Sequence, residues 1–449
     1  MRTARSLAVV TAVALVVLFA SVVAATALPD LPSEKFEPAP NCGCHSYFLE
    51  QWGVSMHAKA LDDPLFQYKL AEANHATDGA LDPFCNGCHA PVAIMSGEIT
   101  DLASASAQSK EGVGCSFCHQ VSGTGEPVAN LSQTMNADGV FRAQLENAVS
   151  PYHPTGYSAF HETAEFCGAC HNVNHPTNGM PLEATYTEWK NGPYAAEGTV
   201  CQDCHMTPGP GPNKPNPGTA AAGGPQRDHI YIMTFAGGNV GLGDAVLAEE
   251  RLKAAATLEL EVPEVVEPGS TAEVKTTIIN SGAGHKIPTG LTDVRQMWLE
   301  VTAVDAEGNS EVIGEHVFGT ILKDAEGNSP VELWDAVDFE RDDRIPPREA
   351  VSDTFEMTMP DADNVEIQAS LYYRSCSEEM AEEAGVEIPT TTMVQATQAV
   401  YGSEEAMASG QGEEDDEGGG LSLNLVIAVL AFGLVAAIII FAVMRMRRI

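Results

Sequence analysis

Cys85-Asn-Gly-Cys88-His89, Cys115-Ser-Phe-Cys118-His119, Cys167-Gly-Ala-Cys170-His171 and Cys201-Gln-Asp-Cys204-His205 repeat one pattern, C-x-x-C-H, four times. Two thiols three residues apart can add to the two vinyl groups of one haem, while the imidazole of the next residue binds its iron from the same side. A single C-x-x-C pair reads more naturally as a zinc knuckle or a redox dithiol. Four pairs, each followed by His, do not. With 11 Cys and 13 His in 449 residues, a shuffled chain would contain such a pentapeptide on the order of one time in a hundred. Each motif is therefore expected to be a covalent c-type haem site.

A fifth site upstream is irregular. In Asn41-Cys42-Gly43-Cys44-His45 the first Cys stands one residue too close, and Asn41 occupies its usual place. Cys44 and His45 can supply one thioether and an axial imidazole, and Cys42 a second thioether only with a strained backbone. Five haems c are expected, the first held by one or two thioethers.

The two ends of the chain speak of location. Arg2 and Arg5 precede an uncharged run, and Ala25-Thr26-Ala27 offers a small-x-small cleavage site, so residues 1–27 read as a secretory signal. Leu425 to Met444 carries no charge and is long enough to span a bilayer, with Arg445, Arg447 and Arg448 directly behind it. The positive-inside rule keeps those arginines in the cytoplasm, so the intervening chain is expected on the extracytoplasmic face of the cell membrane. Residues 401–420, with Glu413-Glu-Asp-Asp-Glu417 among glycines, read as an acidic flexible tether to the anchor at 421–449. A net charge of −39 excludes a nucleic-acid partner.

Residues 28–250 contain few long periodic segments. Pro208-Gly-Pro-Gly-Pro-Asn-Lys-Pro-Asn-Pro-Gly218 can only be loop. Short helices are expected at Phe48 to Leu61, Leu65 to Asn74, Ser158 to Glu165 and Asp244 to Lys253, with no clear strands. Such a region buries too little apolar side chain to be stable alone, and stacked porphyrins would complete its core. Subtracting the proximal His45, His89, His119, His171 and His205 leaves eight histidines as second axial ligands. His57, His153, His161, His229 and His285 are the expected distal set, with His75 and His175 in reserve. Bis-histidine ligation lowers the potential relative to His–Met and closes the iron, which suits electron transfer more than catalysis.

Cys44-His45 followed by Trp52, Ser55 and His57 resembles the C-H...W-x-x-S-x-H entry segment of multihaem cytochromes c typified by the tetrahaem cytochrome of ammonia oxidisers. Gly112-Val-Gly-Cys115, Phe166-Cys167-Gly-Ala-Cys170-His171, Thr185-Tyr-Thr-Glu-Trp-Lys190 and Cys201 through Met206 resemble its later landmarks. Arg227-Asp228-His229 resembles a segment that returns a distal ligand in related cytochromes. The resemblance covers about residues 40 to 235 and implies closely packed bis-histidine haems in a helical and irregular domain. The shortened first motif, the fifth haem and everything after Asp244 depart from it.

After Lys253 the hydrophobic period becomes two. Leu258, Leu260 and Val262, then Met297, Leu299, Val301 and Ala303, then Val365, Ile367, Ala369, Leu371 and Tyr373 alternate with polar residues. About seven strands over residues 251–400 argue an immunoglobulin-like β-sandwich. The fold class expected is thus α+β and multidomain: an irregular, short-helix multihaem cytochrome c domain, an all-β sandwich and one C-terminal transmembrane helix. Asp305-Ala-Glu-Gly-Asn-Ser310 and Asp324-Ala-Glu-Gly-Asn-Ser329 read as two similar turns. The loop Asn280-Ser-Gly-Ala-Gly-His285-Lys-Ile-Pro-Thr-Gly290 reads either as a plain turn or as a haem ligand donated by the sandwich. Cys376 has no haem motif and reads as a lone buried thiol.

Two functions compete. One is an electron carrier between a membrane donor and an extracytoplasmic acceptor, with redox proteins as partners. The other is an oxidoreductase acting on a small nitrogen or sulfur compound at one open haem.

Overall fold

The structure, a computed structural model, describes residues 28–212, 215–291 and 293–409. The expected signal, most of the tether and the Leu425 to Met444 stretch lie outside the described residues. Among the described residues no helix is long and apolar enough to cross a membrane.

The N-terminal region is a string of short elements. Its longest helix, Pro64–Thr77, starts where the Asp63 carboxylate accepts the Leu65 N–H at 3.1 Å with Pro64 in the first turn, and stops at Asp78, which adopts φ 51°. Leu65, Leu70 and Ala73 form its buried face. The helix expected over Phe48 to Leu61 is two, Ser46–Val54 and Met56–Lys59, because Ser55 breaks the first and caps the second through Ala58 N–H at 3.3 Å. The helix expected over Ser158 to Glu165 is likewise divided, into a 3-10 turn Ala159–Glu162 and a helix Ala164–Gly168.

Four two-stranded ribbons, absent from the sequence reading, tie these pieces together. They pair β1 (Val121–Thr124) with β2 (Gln133–Met135), β3 (Phe141–Ala143) with β4 (Thr155–Tyr157), β5 (Val173–Asn174) with β6 (Pro181–Glu183), and β7 (Gly218–Thr219) with β8 (Gln226–Arg227). Strands of two to four residues are too short to show a period of two. Buried apolar residues here fall into small clusters, the largest being seven residues around Phe117, Val92 and Leu131. No single apolar core holds this region together.

The helix Ala245–Ala255, capped by Asp244 on Leu247 N–H, leads into the β region. One antiparallel sheet orders β15 (Ala350–Thr358), β10 (Thr271–Ile279) and β9 (Thr257–Glu261). The other orders β12 (Ser310–Phe318), β11 (Gln296–Val304), β16 (Asn364–Arg374) and β17 (Thr391–Tyr401). A hairpin of β13 (Thr320–Lys323) and β14 (Asp338–Asp342) stands beside them. Val274, Ile278 and Met357 of the first sheet share one core of 23 buried residues with Met297, Leu299, Val301, Ile367 and Leu371 of the second. The alternation expected for β11 and β16 is the one observed, since one face of each sheet is buried and the other is not.

The two Asp-Ala-Glu-Gly-Asn-Ser segments form matching turns. In each, the Asn N–H and side-chain amide bond the Asp carboxylate at 2.7–2.8 Å, and Gly308 and Gly327 take φ 86° and 85°. Cys376 is fully buried and unbridged.

Candidate haem sites

Each C-x-x-C-H motif sits in a short helix, Asp82–His89, Cys115–Gln120, Ala164–Gly168 with the turn after it, and Cys201–His205. One helical turn brings two cysteines three residues apart onto one side, with the following histidine beside them. The irregular motif forms a 3-10 turn, Gly43–His45, instead.

Every motif histidine is held by its Nδ1, which leaves Nε2 to point away. The partners of His45, His89, His119 and His205 are the carbonyls of Ala220, Ala60, Arg142 and Ala236, at 2.6, 2.8, 2.7 and 2.9 Å. His171 Nδ1 meets the Glu183 carboxylate at 3.2 Å. This is the arrangement by which proteins orient metal-binding imidazoles. Burial pushes His57 down to about 3 and His89 and His205 to about 4, so these rings are neutral and able to ligate. The His171 side chain is 54 % exposed, and the Glu183 carboxylate at its Nδ1 fixes the direction of the ring.

Four motif histidines face a second histidine. The ring centroids of His45 and His153 lie 6.2 Å apart, His57 and His171 6.2 Å, His119 and His161 6.1 Å, and His205 and His285 6.3 Å. A metal–imidazole bond of about 2.0 Å on either side of one iron, with roughly 1.1 Å from each nitrogen to its ring centre, puts two trans ligands about 6.2 Å apart. The residues fit a bis-histidine haem at all four places. At His161, Nε2 is engaged by the Cys118 carbonyl at 3.2 Å, which leaves its buried Nδ1 without a hydrogen-bond partner.

His57 is delivered by the segment read as Trp52, Ser55 and His57. The Trp52 indole donates to Val113 O at 2.9 Å, Val113 N–H donates to His57 O at 2.8 Å, and Gly112, at φ 63°, lets the chain approach so closely that a Cβ there would stand 2.5 Å from His57 O. The histidine that faces His171 is thus fastened to the loop that enters the Cys115 motif.

His285 arrives from the β region. Buried Asn280 braces its loop, donating to His285 O at 2.8 Å and to Ile345 O at 2.9 Å. Glycines precede His285 in this loop, at Gly282 and Gly284. Gly282 is required by the end of the Ala245–Ala255 helix, since a Cβ would fall 2.0 Å from Ala254 O. Gly284 lies over Tyr194 and Trp189 at ordinary contact distance.

The fifth expected distal ligand, His229, is not brought opposite a motif histidine by any ring contact among the described residues. Its Nδ1 accepts from Asn216 N–H at 3.0 Å and its ring stands edge-on to Tyr231. A small turn around Asn216 has claimed it. His89 correspondingly has no histidine facing it among the described residues. Phe66 stacks on its ring at 3.6 Å, a contact that nothing in the sequence announces. Cys85, Cys88 and His89 line a cleft of about 870 Å³, open mouth included, whose far wall is Leu291, Leu333 and Trp334 of the β region. His175 also lines it, yet its nitrogens are committed to Trp334 O at 3.1 Å and to Thr177. His75 is exposed.

Cysteines of different motifs lie side by side, Cys42 by Cys115, Cys88 by Cys170 and Cys167 by Cys201, with no disulfide between them. The motif of His171 therefore adjoins those of both His89 and His205, while the irregular motif adjoins that of His119.

The structure is similar over 83 % of this chain and 99 % of the other to a penta-haem cytochrome c552 from Thermochromatium tepidum, with a TM-score of 0.59 and 21 % identity. The fold is that of a multihaem cytochrome c. Residues 28–256 are about half of the chain, so the likeness extends into the β region. The model of the family described as cytochrome c554 and c-prime matches residues 41–120, which contain the irregular motif and the two that follow it. With the C-x-x-C-H repeats, these matches support covalently bound haem c and an electron-transfer role; neither carries the connection to ammonia oxidisers. A CARDB domain from Pyrococcus furiosus (18 % identity, 32 % of this chain, 85 % of that chain, TM-score 0.19) and the superoxide reductase neelaredoxin from Ignicoccus hospitalis (13 %, 32 %, 79 %, 0.17) are too loosely similar to bear on fold or function. No curated protein sequence matches the chain.

Proposed function

We propose that the protein is an exported, membrane-anchored pentahaem cytochrome c that carries electrons between a membrane donor and an extracytoplasmic acceptor. The observation that carries this reading is the set of four histidine pairs at 6.1–6.3 Å, each beside a cysteine motif. The haem supplies one-electron chemistry when bound. The residues that would hold its iron are His45 with His153, His171 with His57, His119 with His161 and His205 with His285, and such pairs would close four sites to small molecules. Cys44, with or without Cys42, and the cysteine pairs of the other four motifs would hold the macrocycles through thioethers. The sequence readings of a signal at 1–27 and a span at Leu425 to Met444 support an ectodomain outside the membrane, and the β region, in an immunoglobulin-like arrangement, would complete the array by donating His285.

A second reading, an oxidoreductase for a small nitrogen or sulfur compound, is favoured by one observation: His89 has a cleft before it and no facing histidine. Low-temperature EPR of the purified ectodomain separates the two. Four low-spin ferric signals with one high-spin signal that responds to hydroxylamine, nitrite or sulfite support the oxidoreductase. Five low-spin signals leave the carrier alone.

A further inference from the structure

Four of the five motif imidazoles give their Nδ1–H to a main-chain carbonyl, and His171 gives its own to the carboxylate of Glu183. Next door, the arrangement is inverted. Ala236 O accepts His205 Nδ1–H at 2.9 Å and also the Arg251 guanidinium at 2.7 Å, and Arg251 continues to Cys204 O at 2.7 Å and Thr207 O at 2.9 Å. The two sites adjoin, the helix Cys201–His205 packing against the helix Ala164–Gly168.

We propose that Glu183 and Arg251 bias these neighbouring irons in opposite directions, Glu183 lowering the reduction potential at the His171 site and Arg251 raising it at the His205 site, so that an electron passes from the first to the second. The inference rests on the ligation proposed above. An imidazole whose N–H is held by a carboxylate is a more basic ligand and favours the ferric state. A carbonyl already polarised by a guanidinium is a poorer acceptor, which leaves its imidazole less basic, and the nearby cation favours the iron that carries one charge less. Both groups are largely buried, where such fields are weakly screened. Arg295 also faces Glu183, but its guanidinium bonds Ser375 O. Asp244, whose field reaches Arg251, is engaged in capping its own helix. Transfer takes one iron from ferrous to ferric and its neighbour from ferric to ferrous, with no bond made or broken.

The test is a potentiometric titration of the intact holoprotein followed by visible and EPR spectroscopy, after its haem content has been weighed by mass. Glu183→Gln keeps an acceptor for His171 and removes the charge, so one low-spin component should rise in potential while the others hold. Arg251→Met should lower a different component, and Arg251→Lys should restore most of that shift. Because half-buried Arg251 bridges three carbonyls, Arg251→Gln, which keeps an amide donor and removes the charge, replaces the Met variant if that one does not fold, and it should lower the same component; if it moves none, the Arg251 half of the inference falls. Glu326→Gln, in an exposed turn, is the control for a general loss of charge. If Glu183→Gln retains its haems and low-spin signals yet moves no component, or moves all of them as the control does, the inference falls and the ligation stands. Absence of haem at the Cys167 or Cys201 motif would overturn both, and mass reveals that separately.

Discussion

The Glu188 carboxylate of the N-terminal region meets the Arg344 guanidinium of the β region at 2.5 Å, with only 6 % of either side chain exposed. Its second oxygen accepts Lys286 N–H at 3.2 Å and the Thr289 hydroxyl at 3.0 Å, so the pair grips both ends of the segment that follows His285. Arg344 is held from the other side by Asp342 at 2.8 Å.

Breaking a buried pair leaves an uncompensated charge, at a cost of about 3–5 kcal/mol. Asp342 remains to shield Arg344, so Glu188→Ala is expected at roughly 3 kcal/mol, the lower end of that range. Denaturant unfolding of the holoprotein measures it. His285 should also loosen from its site, and the reduced protein should gain one carbon-monoxide-binding haem. An unchanged midpoint would mean that the junction is held by its apolar contacts alone.

The intact denatured protein should exceed its polypeptide mass by five haems. Cys42→Ala should keep all five, because Cys44 still holds the first haem; if Cys42 normally adds a second thioether, the variant's pyridine haemochrome should shift to the red by one unreacted vinyl group. A wild-type count of four would remove the irregular site altogether.

Replacing His57, His153, His161 or His285 by Ala should each convert one low-spin haem to high spin, with four different residual spectra. His229→Ala should not, because Asn216 and Tyr231 already occupy that ring. His175→Ala should leave the ligation intact while disturbing the wall of the His89 cleft. A high-spin change in the His229 variant would return that residue to the ligand set.

Gly112→Ala tests the delivery of His57. The positive φ alone costs about 1 kcal/mol or more in a residue with a Cβ. The contact at 2.5 Å with His57 O adds to it by pushing the distal segment outward. The expected result is a fall in thermal stability together with a high-spin fraction from the His171 site. A stable, fully low-spin variant would show that the segment can yield without loss of its ligand.

The cysteine motifs are local: five residues contain the thiols, the imidazole and the turn that aligns them, so spacing alone marks four haem sites and suggests the irregular fifth. The strands of the β region were legible for a similar reason, since burial of one face writes a period of two into Met297 to Ala303 and Val365 to Tyr373. Which histidine faces which is not local. His57 lies against His171, more than a hundred residues away, His153 against His45, which lies far before it in the chain, and His285, from another region of the fold, against His205. Each was a candidate by residue type, and only packing set these pairs, while His229 stands beside Tyr231 and the turn around Asn216. The groups packed beside these imidazoles, Glu183, Arg251, Phe66 and Arg344, had no signal in the sequence, and Glu188 stood out only as part of the Thr185–Lys190 segment. Their effect depends on distance and burial in three dimensions, and an acidic chain with a net charge of −39 contains many carboxylates that look the same.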